Sequence, residues 1–389
     1  MKLDPPVTET PQFSLDADQI AVRAMARAFA DQSLAPNAVA WDEAKHFPVA
    51  EMREAAALGM GGIYVAEEVG GSGLSRLAAT LIFEALATGC PTVSAYMSIH
   101  SMVAWMIDAY GSEDQRRQWL PRLCTMELFA SYCLTEPDAG SDAAALRTRA
   151  VREGDFYVLN GQKLFISGAG ASGIYVVMAR TGGQGTGGIS SLIVPGDATG
   201  ILFGANERKM GWNAQPTRAV TFENVRVPIG NRLGDEGAGF KIAMAALDGG
   251  RLNIAACSLG GAQAALEKSL AYMKERRAFG KRLDEFQALQ FRLADMATEL
   301  EAARALLWRA AAALDRREAD ATSLCAMAKR FVTDACFDVA NQALQLHGGY
   351  GYLAEYGIEK IVRDLRVHQI LEGTNEIMRL IVARSLIGR

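Results

Sequence analysis

The 389-residue sequence has few of the side chains that build metal sites or disulfide frameworks. It contains six cysteines and four histidines. No cysteines form a CxxC pair, and the histidines lack the spacing of metal ligands. Apolar residues surround the cysteines, which predicts buried, reduced thiols of the kind found in a cytosolic protein. We therefore expect neither a disulfide-stabilised fold nor a bound metal.

Long apolar runs and clusters of one charge are also missing. The net charge is -4 and the Lys and Arg residues are dispersed, which argues against nucleic acid or an anionic membrane as a partner. The charge-free stretch 252–266 is interrupted by polar residues, so no membrane insertion is predicted. The first eleven residues show no secretory signal. We expect a bacterial cytoplasmic protein, or a mitochondrial matrix protein if a presequence has been removed.

The hydrophobic period of the sequence changes twice. It is helical from residue 16 to about 124, and a capping box is predicted between Asp16 and Gln19. Short β-rich runs follow, and Asn160-Gly161 between two of them predicts a hairpin. The remainder is helical again, with separate helices expected at 239–247 and 252–276. The predicted fold is α+β and mainly α: a helical domain (1–126), a central antiparallel β-domain (127–236) and a C-terminal helical bundle (237–389).

One glycine motif matches a dinucleotide-binding fingerprint but lacks the helix that such a site needs. Residues 168–173 match the GxGxxG dinucleotide fingerprint. That fingerprint requires a helix directly after it, so that the pyrophosphate meets the helix N-terminus. Residues 174–178 instead have the β-branched character of a strand. We interpret the glycines as a turn between strands and reject a nicotinamide site.

Two segments of the β-region could line a polar, planar ligand. In 132–142 a strand leads into a loop of small and hydroxylated residues, whose backbone N–H groups can approach a ligand closely. In 162–167, Phe165 and Ser167 lie two positions apart on a strand, so that one can stack while the other donates a hydrogen bond. Taken singly, an ordinary loop and a core phenylalanine beside a solvated serine remain open alternatives.

Two segments of the helical C-terminal region carry charged groups of interest. Residues 275–281 place several cations at the end of a long helix, which suits a diphosphate but also stabilises a helix C-terminus without any ligand. Glu372 follows the apolar pair Ile370-Leu371 and precedes a glycine and a potential N-cap, Thr374. A carboxyl group in an apolar pocket has a raised pKa and suits a general base. A solvated loop glutamate is the alternative, and Glu376 is a competing carboxylate.

Together and in this order, the segments resemble the acyl-CoA dehydrogenase family over essentially the whole chain. The matching motifs are TEPDAGSD, GQKLFIS, ERRAFGK, HGGYGY and EGTNE. The resemblance implies a C-terminal four-helix bundle, a homotetramer, FAD near a subunit interface, an acyl-CoA substrate and electron-transferring flavoprotein as electron acceptor. It also implies that Glu372 is the catalytic base.

Carried over residue by residue, the resemblance implies the remaining site residues. Those expected to bind FAD within one subunit are Tyr132, Leu134, Thr135, Gly140, Ser141, Phe165, Ser167, Thr374 and Glu376. Those expected to reach FAD from a neighbouring subunit are Arg276, Phe279, Gln287, Gln345 and Gly349. Those expected at the substrate are Ser141, Gly373 and, from a substrate-binding turn at 248–251, Asp248 and Arg251.

Departures from the family pattern bear on the substrate. Leu371 replaces an aromatic often found before the base, and Phe165 stands where many members carry Trp. Gly250 occupies the position of the alternative base of some members. Candidate walls of the acyl pocket are Tyr96, Met97, His100 and Leu371.

The expected activity is FAD-dependent α,β-desaturation of a short branched acyl-CoA. The runs 98–102, 211–218 and 345–352 resemble family members that act on isobutyryl-CoA in valine degradation. The alternatives are another short substrate (butyryl- or 2-methylbutyryl-CoA), an acyl-CoA oxidase, and a non-catalytic assembly that binds acyl-CoA.

Overall fold

A computed structural model describes residues 14–388 of the chain; the N-terminal eleven residues considered above lie outside this range. The first third is helical, as predicted. α1 begins after Asp16, whose side chain forms the predicted capping box with Gln19. The helices of this region are α1 (Ala17–Phe29), α2 (Ala38–Ala44), α3 (Val49–Ala55), α4 (Arg76–Gly89), α5 (Pro91–Tyr110) and α6 (Glu113–Cys124).

Most side chains of α4 and α5 are buried, because these two helices pack on each other and on a long C-terminal helix. α5 starts with Pro91 in its first turn, where the missing N–H costs no helical hydrogen bond. A helix that is apolar nearly all round must be covered on every side. α5 is therefore enclosed by its neighbours, and it connects the helical core to the central sheet.

The central region is one sheet with the strand order β6-β7-β3-β2-β4-β5-β8, and β1 pairs with β4. Most pairings are antiparallel as predicted, but β1 and β2 both run parallel to β4. The glycines at 168–173 form the predicted turn between β3 and β4. The strands are β1 (Ala130–Cys133), β2 (Arg149–Glu153), β3 (Phe156–Ser167), β4 (Ile174–Arg180), β5 (Ile189–Pro195), β6 (Ile201–Phe203), β7 (Thr217–Pro228) and β8 (Arg232–Leu233).

The hairpin predicted at Asn160-Gly161 is wrong. β3 runs unbroken through both residues, and its pairing with β7 shifts register between Leu159 and Gly161. Gly161 has a φ of 146°, and a Cβ there would lie 2.5 Å from Thr148 Oγ1. The glycine thus serves a β-bulge and a close backbone approach rather than a turn.

The last third is helical and adds a small hairpin. The predicted break between residues 247 and 252 is wrong, because a single helix of 37 residues, α7 (Gly239–Glu275), runs through it without interruption. One helix, α10, was not predicted. The elements are α7 (Gly239–Glu275), β9 (Arg277–Ala278), β10 (Lys281–Arg282), α8 (Gln287–Asp315), α9 (Ala321–His347), α10 (Ile358–Arg366) and α11 (Asn375–Leu386).

α7, α8 and α9 pack on one another and continue the apolar core of α4 and α5. α10 and α11 pack against α9. All six cysteines are free and buried. Between residues 14 and 388, none of the helices combines the length and apolarity that crossing a bilayer requires. Within the same range, no group of three or more His, Cys, Asp or Glu side chains is arranged to hold a metal ion.

Candidate active site

A cleft of about 210 Å³ lies where α5, the end of β1, the end of β3, α7 and the loop before α11 meet. The structure brings ten of the predicted site residues to its walls. They are Tyr132, Leu134, Thr135, Gly140, Ser141, Phe165, Ser167, Arg251, Glu372 and Gly373. Segments far apart in the sequence therefore form one site.

Glu372 lies in the Glu372 loop (residues 370–374), between α10 and α11. Its φ is 55°, a left-handed conformation that is unusual for a residue with a Cβ. Although the residue as a whole is half-buried, its Oε2 atom is buried and has no hydrogen-bond partner within residues 14–388. Burial raises the pKa of Glu372 to about 7, against the opposing effect of the cations Lys329 and Arg251. The carboxyl group can therefore gain and lose a proton near neutral pH.

The four residues 248–251, predicted as a substrate-binding turn, instead lie inside α7. The glycines serve close approach rather than a change of direction. A Cβ added to Gly250 would lie 2.6 Å from Glu372 Oε2. The missing side chain thus leaves the space into which the carboxyl group fits.

Arg251 lines the cleft, whereas Asp248 does not. The Arg251 guanidinium is buried and forms an ion pair of 2.7 Å with Asp248. Its Nε also donates to the backbone oxygen of Glu372 at 3.4 Å. Thr322 Oγ1 donates to the other Asp248 oxygen at 2.7 Å. Asp248 therefore holds Arg251 in place, and Arg251 in turn contacts the Glu372 loop.

Lys329 on α9 is a functional candidate that the sequence analysis missed. Its Nζ donates to the backbone oxygen of Gly373 at 2.8 Å and to Asn375 Oδ1 at 2.9 Å. A signal was present in the sequence, since Lys329 follows the apolar run 325–328 on a helix that is otherwise buried there. A charge on the apolar face of a helix requires a specific partner.

The first two sequence segments are joined by a buried ion pair between Glu136 and Lys163, with a distance of 2.7 Å. Lys163 also donates to the backbone oxygen of Leu134 at 3.0 Å. The N–H groups of Arg147 and Thr148 donate to Glu136 at 2.6 and 2.9 Å. This pair fixes the loop after β1 against β3, and with it the cleft wall formed by Leu134 and its neighbours.

Phe165 and Ser167 both line the cleft, as the strand alternation predicted. Phe165 has a φ of 58° at a register shift of β3, and 63% of its side chain is exposed. Ser167 Oγ accepts from Gln215 Nε2 at 3.3 Å, and among residues 14–388 its own proton has no acceptor and can serve a ligand. An exposed aromatic face beside a hydroxyl group suits a flat, polar ring system such as the flavin that the family resemblance implies.

Trp212 also lines the cleft, although no role was predicted for it. Its backbone N–H donates to Asp364 Oδ1 at 2.7 Å, and its indole N–H donates to His368 Nε2 at 3.2 Å. His368 is fully buried, and burial lowers its pKa to about 3. A neutral imidazole is therefore the acceptor that holds the indole.

The three acyl-wall candidates on α5 lie on a different face of the helix from the α5 residues that line the cleft. Tyr96 bonds to Ser172 Oγ at 3.0 Å, and His100 contacts the backbone of Leu123 at 2.9 Å. Both are buried between α5 and its neighbours, as is Met97. The α5 side chains that line the cleft are Ile99 and Met102. Leu371, the fourth predicted wall residue, does line it.

A second cleft, of about 510 Å³, lies at the other end of α7 and α9. It brings together Arg276, Gln345 and Gly349, with Arg292 as a second guanidinium. Two guanidinium groups and adjacent glycine N–H groups suit a diphosphate. This cleft is separate from the one that contains Glu372.

Four predicted cofactor residues line neither cleft. Phe279 lies at the tip of the β9–β10 hairpin with 95% of its side chain exposed, and Gln287 begins α8. Thr374 is the N-cap of α11, as predicted. The Glu376 side chain is exposed and lies 3.5 Å from Arg379. Glu376 is therefore poorly placed to compete with Glu372 as a base.

Comparison with known proteins agrees with this geometry. Models of the N-terminal, middle and C-terminal acyl-CoA dehydrogenase domains match residues 16–127, 131–225 and 237–387. A protein named mitochondrial isobutyryl-CoA dehydrogenase from Bos taurus is 56% identical over 97% of this chain and 91% of its own length. A protein of the same name from Dictyostelium discoideum is 54% identical over 98% of this chain and 92% of its own length.

A solved structure of butyryl-CoA dehydrogenase from Megasphaera elsdenii is 38% identical and superposes with a TM-score of 0.93. The superposition covers 96% of this chain and 99% of that one. The three domain matches account for nearly all of the described residues, and the cleft joins segments from all three. The chain therefore belongs to the acyl-CoA dehydrogenase family of FAD-dependent oxidoreductases.

Proposed function

We propose that this enzyme desaturates a short branched acyl-CoA, with isobutyryl-CoA as the favoured substrate and Glu372 as the base. One observation carries the assignment of the base. Oε2 of Glu372 is buried at the cleft without a hydrogen-bond partner among residues 14–388, and its pKa is raised to about 7. A buried acceptor without a partner is costly, so its place at a cleft points to a proton that arrives with a ligand.

Glu372 is able to take the α-proton of a thioester at neutral pH. A base with a pKa near 7 is largely ionised just above neutrality and binds a proton strongly enough to assist its removal. Arg251 and Lys329 keep the ionised form accessible despite burial, since both cations lower the pKa of Glu372. FAD, when bound, supplies the acceptor for the hydride that leaves the β-carbon.

The thioester oxygen needs stabilisation while the α-proton leaves. The backbone N–H of Glu372 donates no hydrogen bond within residues 14–388, whereas the N–H of Leu371 bonds to Val367 O at 3.0 Å. We assign this free N–H as one oxyanion donor; the family resemblance implies that a ribityl hydroxyl of bound FAD would be the second. Removing one such donor typically costs about 3–4 kcal/mol of transition-state stabilisation.

The two clefts support a proposal about assembly. The lining of the cleft at Glu372 suits a flavin ring and that of the cleft at Arg276 suits a diphosphate, yet the two clefts are separate in one chain. We propose that Arg276, Phe279, Gln287, Gln345 and Gly349 serve the FAD of a neighbouring subunit in a homotetramer. The exposed Phe279 at the hairpin tip supports this role. Electron-transferring flavoprotein is the proposed acceptor.

The cleft walls support a short acyl group. Ile99 and Met102 from α5 and Leu371 beside the base form an apolar part of the wall. The two mitochondrial relatives named for isobutyryl-CoA favour that substrate over butyryl- or 2-methylbutyryl-CoA. Anaerobic flavin reduction with a panel of acyl-CoAs tests the choice. Fastest reduction by a straight-chain substrate would contradict it.

The assignment of the base is tested by Glu372→Gln. This variant should bind FAD and stay yellow but lose substrate-dependent bleaching, because an amide cannot accept the α-proton. Glu376→Gln, which alters the exposed competing carboxylate in the first turn of α11, should still bleach. Bleaching of Glu372→Gln at a rate comparable to that of the wild type would show that another group is the base.

The remaining alternatives have simple tests. Peroxide formation without an added acceptor would reveal an oxidase, and colourless purified protein would favour a non-catalytic assembly. We also propose a reducing compartment, either the cytoplasm or the mitochondrial matrix, since all six cysteines are free and buried.

A further inference from the structure

The side chain of Lys329 is enclosed by protein, but it makes no salt bridge within residues 14–388. Its two close partners are neutral oxygens, the Gly373 carbonyl at 2.8 Å and Asn375 Oδ1 at 2.9 Å. The Lys329 residue is 0% exposed. A buried ammonium group is expensive unless a negative charge compensates it. The arrangement therefore requires an explanation beyond packing.

The charged groups that face Lys329 come from several elements. Glu372 has the largest electrostatic effect on the Lys329 pKa and raises it, whereas Arg251 on α7 lowers it. Asp334 on α9 and Glu376 on α11 raise it more weakly. Burial outweighs these effects and lowers the Lys329 pKa to about 8, so the group is mainly protonated at pH 7.

Asp334 is already engaged by other groups. It accepts hydrogen bonds from Asn375 Nδ2 at 2.6 Å and from Gln369 Nε2 at 2.8 Å. Glu376 is solvent-exposed beside Arg379. His368, also near Lys329, is held neutral by burial and by the lysine charge, both of which lower its pKa. Glu372 is thus the principal buried counter-charge of Lys329.

The two hydrogen bonds of Lys329 also hold the segment that follows the base, one at a backbone carbonyl and one at a side-chain amide oxygen. Glu372 and Gly373 have φ values of 55° and 89°, so the loop makes a left-handed turn there. Lys329 holds this turn at the Gly373 carbonyl and again at Asn375, the first residue of α11. Without Lys329, the Gly373 carbonyl in this turn loses its hydrogen bond to α9, whereas Asn375 keeps its bond to Asp334 of the same helix.

We propose that Lys329 is a positioning residue for the α-proton abstraction, which holds the Glu372 loop in its left-handed turn and favours the ionised carboxylate through its charge. This inference rests on the proposed role of Glu372 as base. Lys329 need not touch the substrate to act in this way.

Two variants separate the hydrogen bond of Lys329 from its charge. Lys329→Met removes both, while Lys329→Gln removes the charge and keeps an N–H donor for the Gly373 carbonyl. Lys241→Met, at an exposed lysine of α7, is the matched control. All are studied as FAD-loaded holoenzymes, and Lys329→Gln still provides the test if Lys329→Met fails to fold.

The primary readout is the infrared band of the protonated Glu372 carboxyl group, identified as the band that Glu372→Gln removes. Loss of a nearby cation typically moves a carboxyl pKa upward by about one unit or more. Both Lys329 variants should therefore titrate at least about one pH unit above the wild type, while the control should not move. A purely structural role of the lysine would leave the band of Lys329→Gln unshifted, because that variant keeps the hydrogen bond that anchors the loop.

The second readout is flavin reduction at saturating substrate. At pH 7 both variants should be slower by roughly fivefold or more, because a one-unit rise in pKa reduces the ionised fraction by that factor. Raising the pH should restore Lys329→Gln further than Lys329→Met, since only the former can still anchor the loop. KM should change less than kcat.

Unshifted infrared titrations in both Lys329 variants would overturn the proposal. So would equal recovery of both variants to the wild-type rate at high pH, which would show that the loop needs no anchor. Failure of the base assignment looks different. In that case Glu372→Gln itself still bleaches, while the infrared titration continues to report whether Lys329 controls the ionisation of Glu372.

Discussion

Adding a single methyl group at Gly250 should separate activity from stability. A Cβ at this position would lie 2.6 Å from Glu372 Oε2 and 3.1 Å from Met102 Sδ, whereas ordinary van der Waals contact begins near 3.4 Å. The Glu372 carboxyl group must therefore retreat by about 0.8 Å in Gly250→Ala. The Met102 sulfur lies at the end of a flexible side chain and can give way.

Gly250→Ala should lower the rate of flavin reduction without lowering the stability of the protein. A misplacement of a reacting group by about 1 Å can cost roughly a hundredfold in rate. Gly250 also lies inside a continuous helix, where alanine is favoured over glycine by up to about 1 kcal/mol. We expect kcat for flavin reduction to fall by about two orders of magnitude, with a thermal unfolding temperature equal to or above that of the wild type.

Stopped-flow bleaching at saturating acyl-CoA and thermal unfolding of the holoenzyme measure the two quantities. Lower activity with a lower unfolding temperature would indicate general disruption of α7 rather than crowding of the base. Wild-type activity in Gly250→Ala would refute the reasoning, because it would mean that the carboxyl group does not need the space above this glycine.

Three further predictions follow from other contacts of the site. The rate of flavin reduction should rise with pH to half its plateau near pH 7, since a protonated Glu372 cannot accept the α-proton; a rate that is flat from pH 6 to 8 would contradict this. Lys163→Met should destabilise the holoenzyme by about 3–5 kcal/mol, because it leaves Glu136 buried without its cation. Thermal unfolding should show the loss, and adding Glu136→Gln should recover part of it. Phe165→Ala should weaken FAD binding by up to about tenfold through loss of an aromatic stack, as measured by FAD release on dilution; unchanged retention would argue against stacking.

Much of the fold could be predicted from the sequence because the signals for it are local. The capping box at Asp16 and Gln19 and the changes of hydrophobic period depend on residues a few positions apart. The two wrong chain interruptions were both predicted at glycines. Gly161 and Gly250 both suggested interruptions, but each is a glycine because another group approaches its Cα closely, and that group is remote in the sequence.

Site residues that belong to a sequence motif could be predicted. Site residues that reach the cleft only through the three-dimensional fold could not. Family motifs led to Glu372 and Phe165, and both lie at the cleft. The candidates Tyr96, Met97 and His100 do not line the cleft. Met97 and Met102 are five residues apart on α5, which is not a whole number of turns, so only one of them faces the cleft. Lys329 was missed since its partners, 44 and 46 residues further along the chain, have no common signature with it.

The left-handed backbone conformation at Glu372 lowers the stability of the protein at the residue on which turnover depends. Holding a non-glycine residue in this region costs on the order of 1–3 kcal/mol, a penalty that glycine avoids and asparagine reduces. Directed evolution of this enzyme for heat resistance alone would therefore favour replacement of the residue that we assign to proton removal. Any such campaign needs a simultaneous screen for turnover to retain the base.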